Sequence, residues 1–161
     1  MPQARIYPIT PRMQDIAGNL KEVERRIAAA AIRCKRDPSS IRLLCVSKTH
    51  PAGAIRAAYE AGARLFGENY AQELRDKASE LSDLSISWHF IGHLQKNKAK
   101  YVAPVAACVE TVDSVEIAEA LSRRTPGKMR CMIEVNVAGE LSKSGVPPEN
   151  ATQLARSVAA I

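Results

Sequence analysis

The chain has 161 residues, 46% of them hydrophobic and 25% charged, which describes one soluble globular domain (residues 1–161) with a core of its own. No apolar run is long enough to span a membrane, residues 1–12 lack the apolar stretch of a signal peptide, and four widely spaced cysteines fit the reducing cytoplasm, which is the expected location. The formal net charge of +6 attracts anions, whether nucleic acid or a phosphorylated small molecule.

Residues 1–10 read as a polar N-terminal extension, and Thr10 can cap a helix with Pro11 at its first position. Ile16, Leu20, Val23, Ile27 and Ala31 recur at helical spacing on one face, and Asp37-Pro38-Ser39-Ser40 breaks that helix. The stretch Ile41-Arg42-Leu43-Leu44-Cys45-Val46-Ser47-Lys48-Thr49-His50 is an apolar run that ends abruptly in polar residues. It is too short for a globular helix and suits a buried parallel strand with helices on both sides. Alternation puts Lys48 on the side of Leu44 and Val46, an amine on an apolar side at a strand's carboxyl end.

Residues 51–61 read as a helix closed by Gly62, and Arg64-Leu65-Phe66 as a second strand ending in Gly67-Glu68-Asn69-Tyr70. A charged helix over 71–81 follows. Ser87-Trp88-His89-Phe90-Ile91-Gly92 is a third strand with a basic helix behind it, and 107–112 a fourth. Asp113 with Glu116 suggests a capping box for a helix to Arg123. Residues 129–137 make a fifth strand. A polar loop over 139–145 then leads through Pro147-Pro148 into a last helix.

Strands alternating with helices at this spacing mean βα units on a parallel sheet. In a barrel all strand carboxyl ends open onto one rim. Lys48, Glu68 with Asn69, His89, Asp113 and Asn136 stand at or near the ends of successive strands, so they become candidates for one site. Lysine is the residue for imine chemistry, because desolvation lowers its pKa and frees a lone pair to attack an aldehyde. Lys48 can hold pyridoxal phosphate or bind a carbonyl substrate directly. Asn69 can donate to a ring oxygen or simply turn the chain. His89, between Trp88 and Phe90, is either an acid/base or a hydrogen-bonded core residue.

Glu68 reads as a rim salt-bridge partner or a further candidate for the site, and His93 is expected to cap the next helix. Asn136 with Ser142-Lys143-Ser144-Gly145 forms either a wall over an anionic ligand or a surface loop. The cysteines, Cys34, Cys45, Cys108 and Cys131, form no Cys-x-x-Cys pair, and three of them sit in apolar runs as small buried hydrophobes. Neither a metal-ligand spacing nor a nucleotide-binding fingerprint appears. The run Lys96-Asn97-Lys98-Ala99-Lys100-Tyr101 has little aromatic interleaving, and a solvated helix face explains it better than a nucleic-acid module.

Four motifs closely resemble the pyridoxal-phosphate homeostasis protein family in order and spacing, from about Met13 to the C-terminus. They are Val46-Ser47-Lys48-Thr49, Phe66-Gly67-Glu68-Asn69-Tyr70, Trp88-His89-Phe90-Ile91-Gly92-His93-Leu94-Gln95-Lys96-Asn97-Lys98 and Ser142-Lys143-Ser144-Gly145. That family is similar to the N-terminal barrel of bacterial alanine racemase without its second domain. The resemblance implies an α/β fold of the (β/α)8 TIM-barrel type, of which this chain carries about the first five βα units plus an N-terminal helix. It implies pyridoxal 5′-phosphate as cofactor, held as a Schiff base on Lys48, with Asn69 beside the ring and His89 nearby. It further implies a carrier or regulator in vitamin B6 and amino-acid balance, without an assigned catalytic reaction, and pyridoxal-phosphate-dependent apo-enzymes as partners. Family members run longer, so the chain is expected to be C-terminally truncated, without the last strands and most of the phosphate site. Two rivals stand beside this reading. One is a racemase-like or Schiff-base enzyme, which Lys48 alone permits; the other is a nucleic-acid-binding module, motivated by the charge.

Overall fold

The computed structural model describes residues 15–161, so the expected Thr10 cap and Pro11 lie outside the described residues. The chain divides into two compact units, one ending at Ile41 and the other spanning Arg42–Ile161. In the first, α1 (Ile16–Arg33) starts at Asp15, whose carboxylate accepts a hydrogen bond from the Gly18 amide at 2.8 Å. A 3-10 turn, Pro38–Ser40, ends this unit, capped by Asp37 through the Ser39 amide at 2.9 Å.

The second unit holds five strands: β1 (Cys45–Val46), β2 (Leu65–Glu68), β3 (Ser87–Phe90), β4 (Cys108–Val112) and β5 (Arg130–Ile133). Between and after them run α2 (Ala52–Glu60), α3 (Ala71–Glu80), the single turn α4 (Ala99–Val102), α5 (Val115–Ser122) and α6 (Pro148–Ala159). The strands pair in parallel and in chain order, each with the next. A doubly wound sheet reverses its order at a switch point, whereas a barrel wall advances in one direction, and this sheet advances. The expected fold class is the observed one.

Register decides which side chains share a face. Val46, Gly67, His89, Cys108 and Arg130 stand side by side across the five strands. Phe66, Trp88, Phe90 and Val109 occupy the alternate face and are buried, with the Phe66 and Trp88 ring centroids 6.0 Å apart. Helices cover this alternate face, as Lys77 of α3 shows by reaching Glu68 on β2. Phe66, Phe90, Ile55, Leu74 and Val102 form its core, each side chain stabilising the fold by about 1.5–3 kcal/mol on burial. Among the described residues no helix is long and apolar enough to cross a membrane.

Several local expectations need correction. The apolar run around Leu43 yields only the two paired residues of β1, because this strand has a single neighbour and most of the run meets no ladder partner. Val46 is consequently 51% exposed. Ser114, not Asp113, caps α5, its hydroxyl accepting from the Ile117 amide at 3.3 Å. The fifth strand is shorter than expected, and beyond it Val135 pairs only with Val146 in an isolated parallel bridge. Behind β3 the basic segment forms a 3-10 turn, Lys96–Lys98, and then α4. Lys98, Lys100 and Arg75 gather over the Tyr101 ring at 4.8–5.7 Å. Of the cysteines expected to be buried only Cys108 is; Cys45 is half-buried and Cys131, on the other edge strand, is exposed.

Candidate functional site

The carboxyl ends of β1, β2 and β3 bring the expected residues to one side of the sheet. Lys48 and Asn69 each follow two residues beyond the row that contains Val46, Gly67 and His89. The Ser47 amide donates to the Gly67 carbonyl at 2.9 Å, extending the β1–β2 ladder up to the residue before Lys48. The chain then turns through Thr49, whose φ of 64° is left-handed. Lys48 itself is exposed, in contrast to the desolvated amine expected from the apolar run. The physical reason is the same as for Val46: an edge strand leaves its end open.

The turn carrying Lys48 is held from beneath by a buried ionic cluster. Lys77 Nζ donates to the Ser47 carbonyl at 2.7 Å, to Glu68 Oε1 at 2.7 Å and to Glu73 Oε1 at 2.6 Å. Ser47 Oγ donates to Glu68 Oε1 at 2.7 Å, and the Thr49 amide donates to Glu73 Oε1 at 2.7 Å. Partial burial works to raise the Glu73 pKa, but the hydrogen bonds from Lys77 and Thr49 outweigh it and hold the carboxyl below its usual range. Glu68 is fully buried and faces α3, so its part is this ion pair under the rim.

Asn69 follows β2, half-buried, and its side-chain Oδ1 is buried without a hydrogen-bond partner. Gly92 makes the position possible: a Cβ there would lie 2.1 Å from the Asn69 carbonyl oxygen. His89 is buried on β3, and its Nδ1 lies 2.5 Å from Glu110 Oε1 on β4. That contact orients the imidazole and gives the site a His–carboxylate pair. In the same row, a Cβ on Gly67 would meet Ile91 Cδ1 at 3.0 Å and Leu44 Cδ2 at 3.2 Å, so the floor of the site is closely packed.

Other candidates do not enter this group. His93 caps no helix; its Nδ1 lies 2.9 Å from Ser144 Oγ and 3.6 Å from Asp113 Oδ2, tying the loop after β3 to the loop after β5. Asn136 binds its own loop, donating to the Glu140 carbonyl at 2.9 Å and accepting from the Glu140 amide at 3.2 Å. The sequence reading missed Glu110 and Lys77. A charge inside the apolar strand Cys108-Val109-Glu110-Thr111-Val112 was the available signal for the first. For the second it was a lysine three residues after Leu74, on that leucine's side of the helix. His89, Cys108 and Glu110, separated in sequence, also place ligand-type atoms within 4.8 Å of one another.

The sequence model of the family described as alanine racemase, N-terminal domain, matches residues 18–161. A pyridoxal phosphate homeostasis protein of Pseudomonas aeruginosa is 46% identical over 149 residues, covering 91% of this chain and 65% of that protein. A protein of Bifidobacterium adolescentis known from its crystal structure superposes with a TM-score of 0.84 at 37% identity, covering 91% of this chain and 64% of that one. PipY of Synechococcus elongatus, solved with pyridoxal phosphate bound, superposes with a TM-score of 0.65 at 36% identity, covering 88% of this chain and 64% of PipY. The chain thus spans about 65% of the length of curated relatives it matches.

Proposed function

The chain belongs to the alanine racemase N-terminal domain family, and on that footing we propose that it binds pyridoxal 5′-phosphate as a Schiff base on Lys48 and serves pyridoxal-phosphate homeostasis and amino-acid balance. The observation that carries the reading is the unpaired, buried Oδ1 of Asn69 at the end of the strand adjoining that of Lys48. A buried amide oxygen without a donor costs about 1–3 kcal/mol, a cost removed when a ligand hydroxyl or ring N–H donates to it. The residues present therefore fit the group: an amine at the mouth, an amide awaiting a partner, and an oriented imidazole on the same side.

When bound, pyridoxal phosphate supplies an aldehyde with which a neutral lysine amine condenses, the carbonyl oxygen leaving as water, and an electron-withdrawing ring. Lys48 provides the nitrogen. Asn69 would hold the ring through its side-chain amide, and His89, whose Nδ1 pairs with Glu110, would stand beside it. Titration of the full chain with pyridoxal phosphate, followed by imine absorption, tests the reading. The wild-type protein is expected to give a saturable band that Lys48→Ala abolishes. A band of equal size and affinity in Lys48→Ala would overturn it.

A further inference from the structure

We propose that Lys77 is a positioning residue for Lys48: its ammonium, with Glu73 as relay, fixes the backbone on both sides of the reactive lysine and so aims the amine at the aldehyde carbon. The inference rests on the Schiff-base reading above and adds to it the device that sets the geometry.

Lys77 is a lysine on the buried face of α3, with its side chain only 9% exposed, and Glu68 is fully buried. Taking an ion pair of this kind out of water is expensive, and replacing it with packed apolar residues is often neutral or stabilising. Fold stability alone is therefore a weak reason for such a pair. What the cluster does achieve is local. All three donor contacts of the ammonium end on the same small region: the Ser47 carbonyl directly, Glu68, which accepts from the Ser47 hydroxyl, and Glu73, which accepts from the Thr49 amide. Residues 47 and 49 are each tied down, while Lys48 between them is exposed with its side chain available for chemistry.

The turn needs such support. Thr49 is β-branched and sits at φ 64°, a conformation that a β-branched residue adopts only when its surroundings impose it. The bond from the Thr49 amide to Glu73 restrains it from beneath, beside the turn bond from the His50 amide to the Ser47 carbonyl at 3.1 Å. Without the Lys77 charge two carboxylates, Glu68 and Glu73, would face one another beneath the turn with nothing between them. The β1–β2 ladder ends with the Ser47 amide on the Gly67 carbonyl at 2.9 Å. From Ser47 to Thr49 the ionic cluster and the His50–Ser47 turn bond hold the backbone.

Condensation forms a C=N bond from Nζ to the aldehyde carbon and releases the oxygen as water; borohydride then adds hydride to that carbon and fixes the link as a secondary amine. Its rate at Lys48 reads the aim of the amine. The experiment compares borohydride trapping of pyridoxal phosphate in the wild-type chain, Lys77→Met, Lys77→Arg and Glu73→Ala, with each adduct located by peptide mapping. Lys96, Lys98 and Lys100 serve as internal controls on the same molecule. Misplacing a reacting group by an ångström costs up to a hundredfold, so the Lys48 adduct in Lys77→Met is expected to form about ten-fold or more slowly, with labelling of the control lysines unchanged. Lys77→Arg, which keeps the charge, restores part of the rate. Glu73→Ala, which leaves the buried Lys77–Glu68 pair intact, shows a several-fold loss and decides the matter if Lys77→Met does not fold. Equal Lys48-to-control labelling ratios in the wild type and in every folded variant would overturn the proposal. Absence of preferred Lys48 labelling in the wild type itself would instead remove the Schiff-base reading on which it rests.

Discussion

Replacing Gly92 with alanine probes whether the fold is built around the Asn69 backbone. The new Cβ would stand 2.1 Å from the Asn69 carbonyl oxygen and 2.8 Å from both its carbonyl carbon and Cα. Real Cβ contacts do not go below 3.0 Å, so one of the two backbones must move by at least about 0.9 Å. All three obstructing atoms are backbone, which removes the cheap escape of rotating a side chain. Both segments are anchored: the Ile91 amide donates to the Glu68 carbonyl at 2.9 Å, and Thr111 Oγ1 donates to the Gly92 carbonyl at 2.5 Å. Overpacking of this sort costs about 1–3 kcal/mol. For a chain of this size each kcal/mol is worth roughly 2–4 °C in Tm, so thermal unfolding of Gly92→Ala is expected roughly 2–12 °C below wild type. Trapping of pyridoxal phosphate at Lys48 should weaken as well, since the Asn69 amide moves with its backbone. An unchanged Tm together with unchanged trapping would show that the close approach at Gly92 is not a constraint.

The depressed pKa of Glu73 fixes the sign of an acid effect: its stabilisation is fully present above its ordinary pKa of 4.5 and is lost as the pH falls through the lower folded value. Urea midpoints measured from pH 6 to pH 3 should fall more steeply in wild type than in Glu73→Ala, and parallel curves would contradict this. Burial, and next to it the Glu110 carboxylate, push the Cys108 thiol above its usual range. A maleimide at pH 7.5 should therefore modify exposed Cys34 first and reach Cys108 only on unfolding; native Cys108 reacting as fast as Cys34 would refute its burial. A racemase needs acid/base groups on both faces of the substrate carbon, and the proposed carrier does not. Incubation with pyridoxal phosphate and L-alanine in D2O should show no sustained deuterium uptake at the α-carbon, and steady exchange would move the protein to the enzyme reading.

What the sequence revealed and what it hid follow from the range of the interactions involved. The βα rhythm is local: hydrophobic period, Gly62 closing α2 at φ 115°, and polar residues at strand ends are all visible within a few positions. The rim was legible for the same reason, because parallel strands in chain order carry their ends to one side. Lys48, Asn69 and His89 could thus be named from their places in the pattern. Exposure is not local. Lys48 and Val46 follow an apolar run that reads as buried, yet β1 is an edge strand, and edges depend on which strands pair across the whole sheet. Long-range polar partners were equally hidden. Glu110 reaches His89 across 21 positions and Lys77 reaches the Ser47 carbonyl across 30. Each carried only a faint trace, a charge standing on a face its neighbours marked as apolar.

The central claim concerns a single nitrogen, and site-resolved trapping addresses it directly. The full chain is mixed with one equivalent of pyridoxal phosphate, reduced with borohydride, digested and mapped by mass spectrometry. One dominant pyridoxyl-modified peptide is expected, carrying its label on Lys48. Label distributed over Lys96, Lys98, Lys100 and other surface lysines, with none preferred at Lys48, would contradict it.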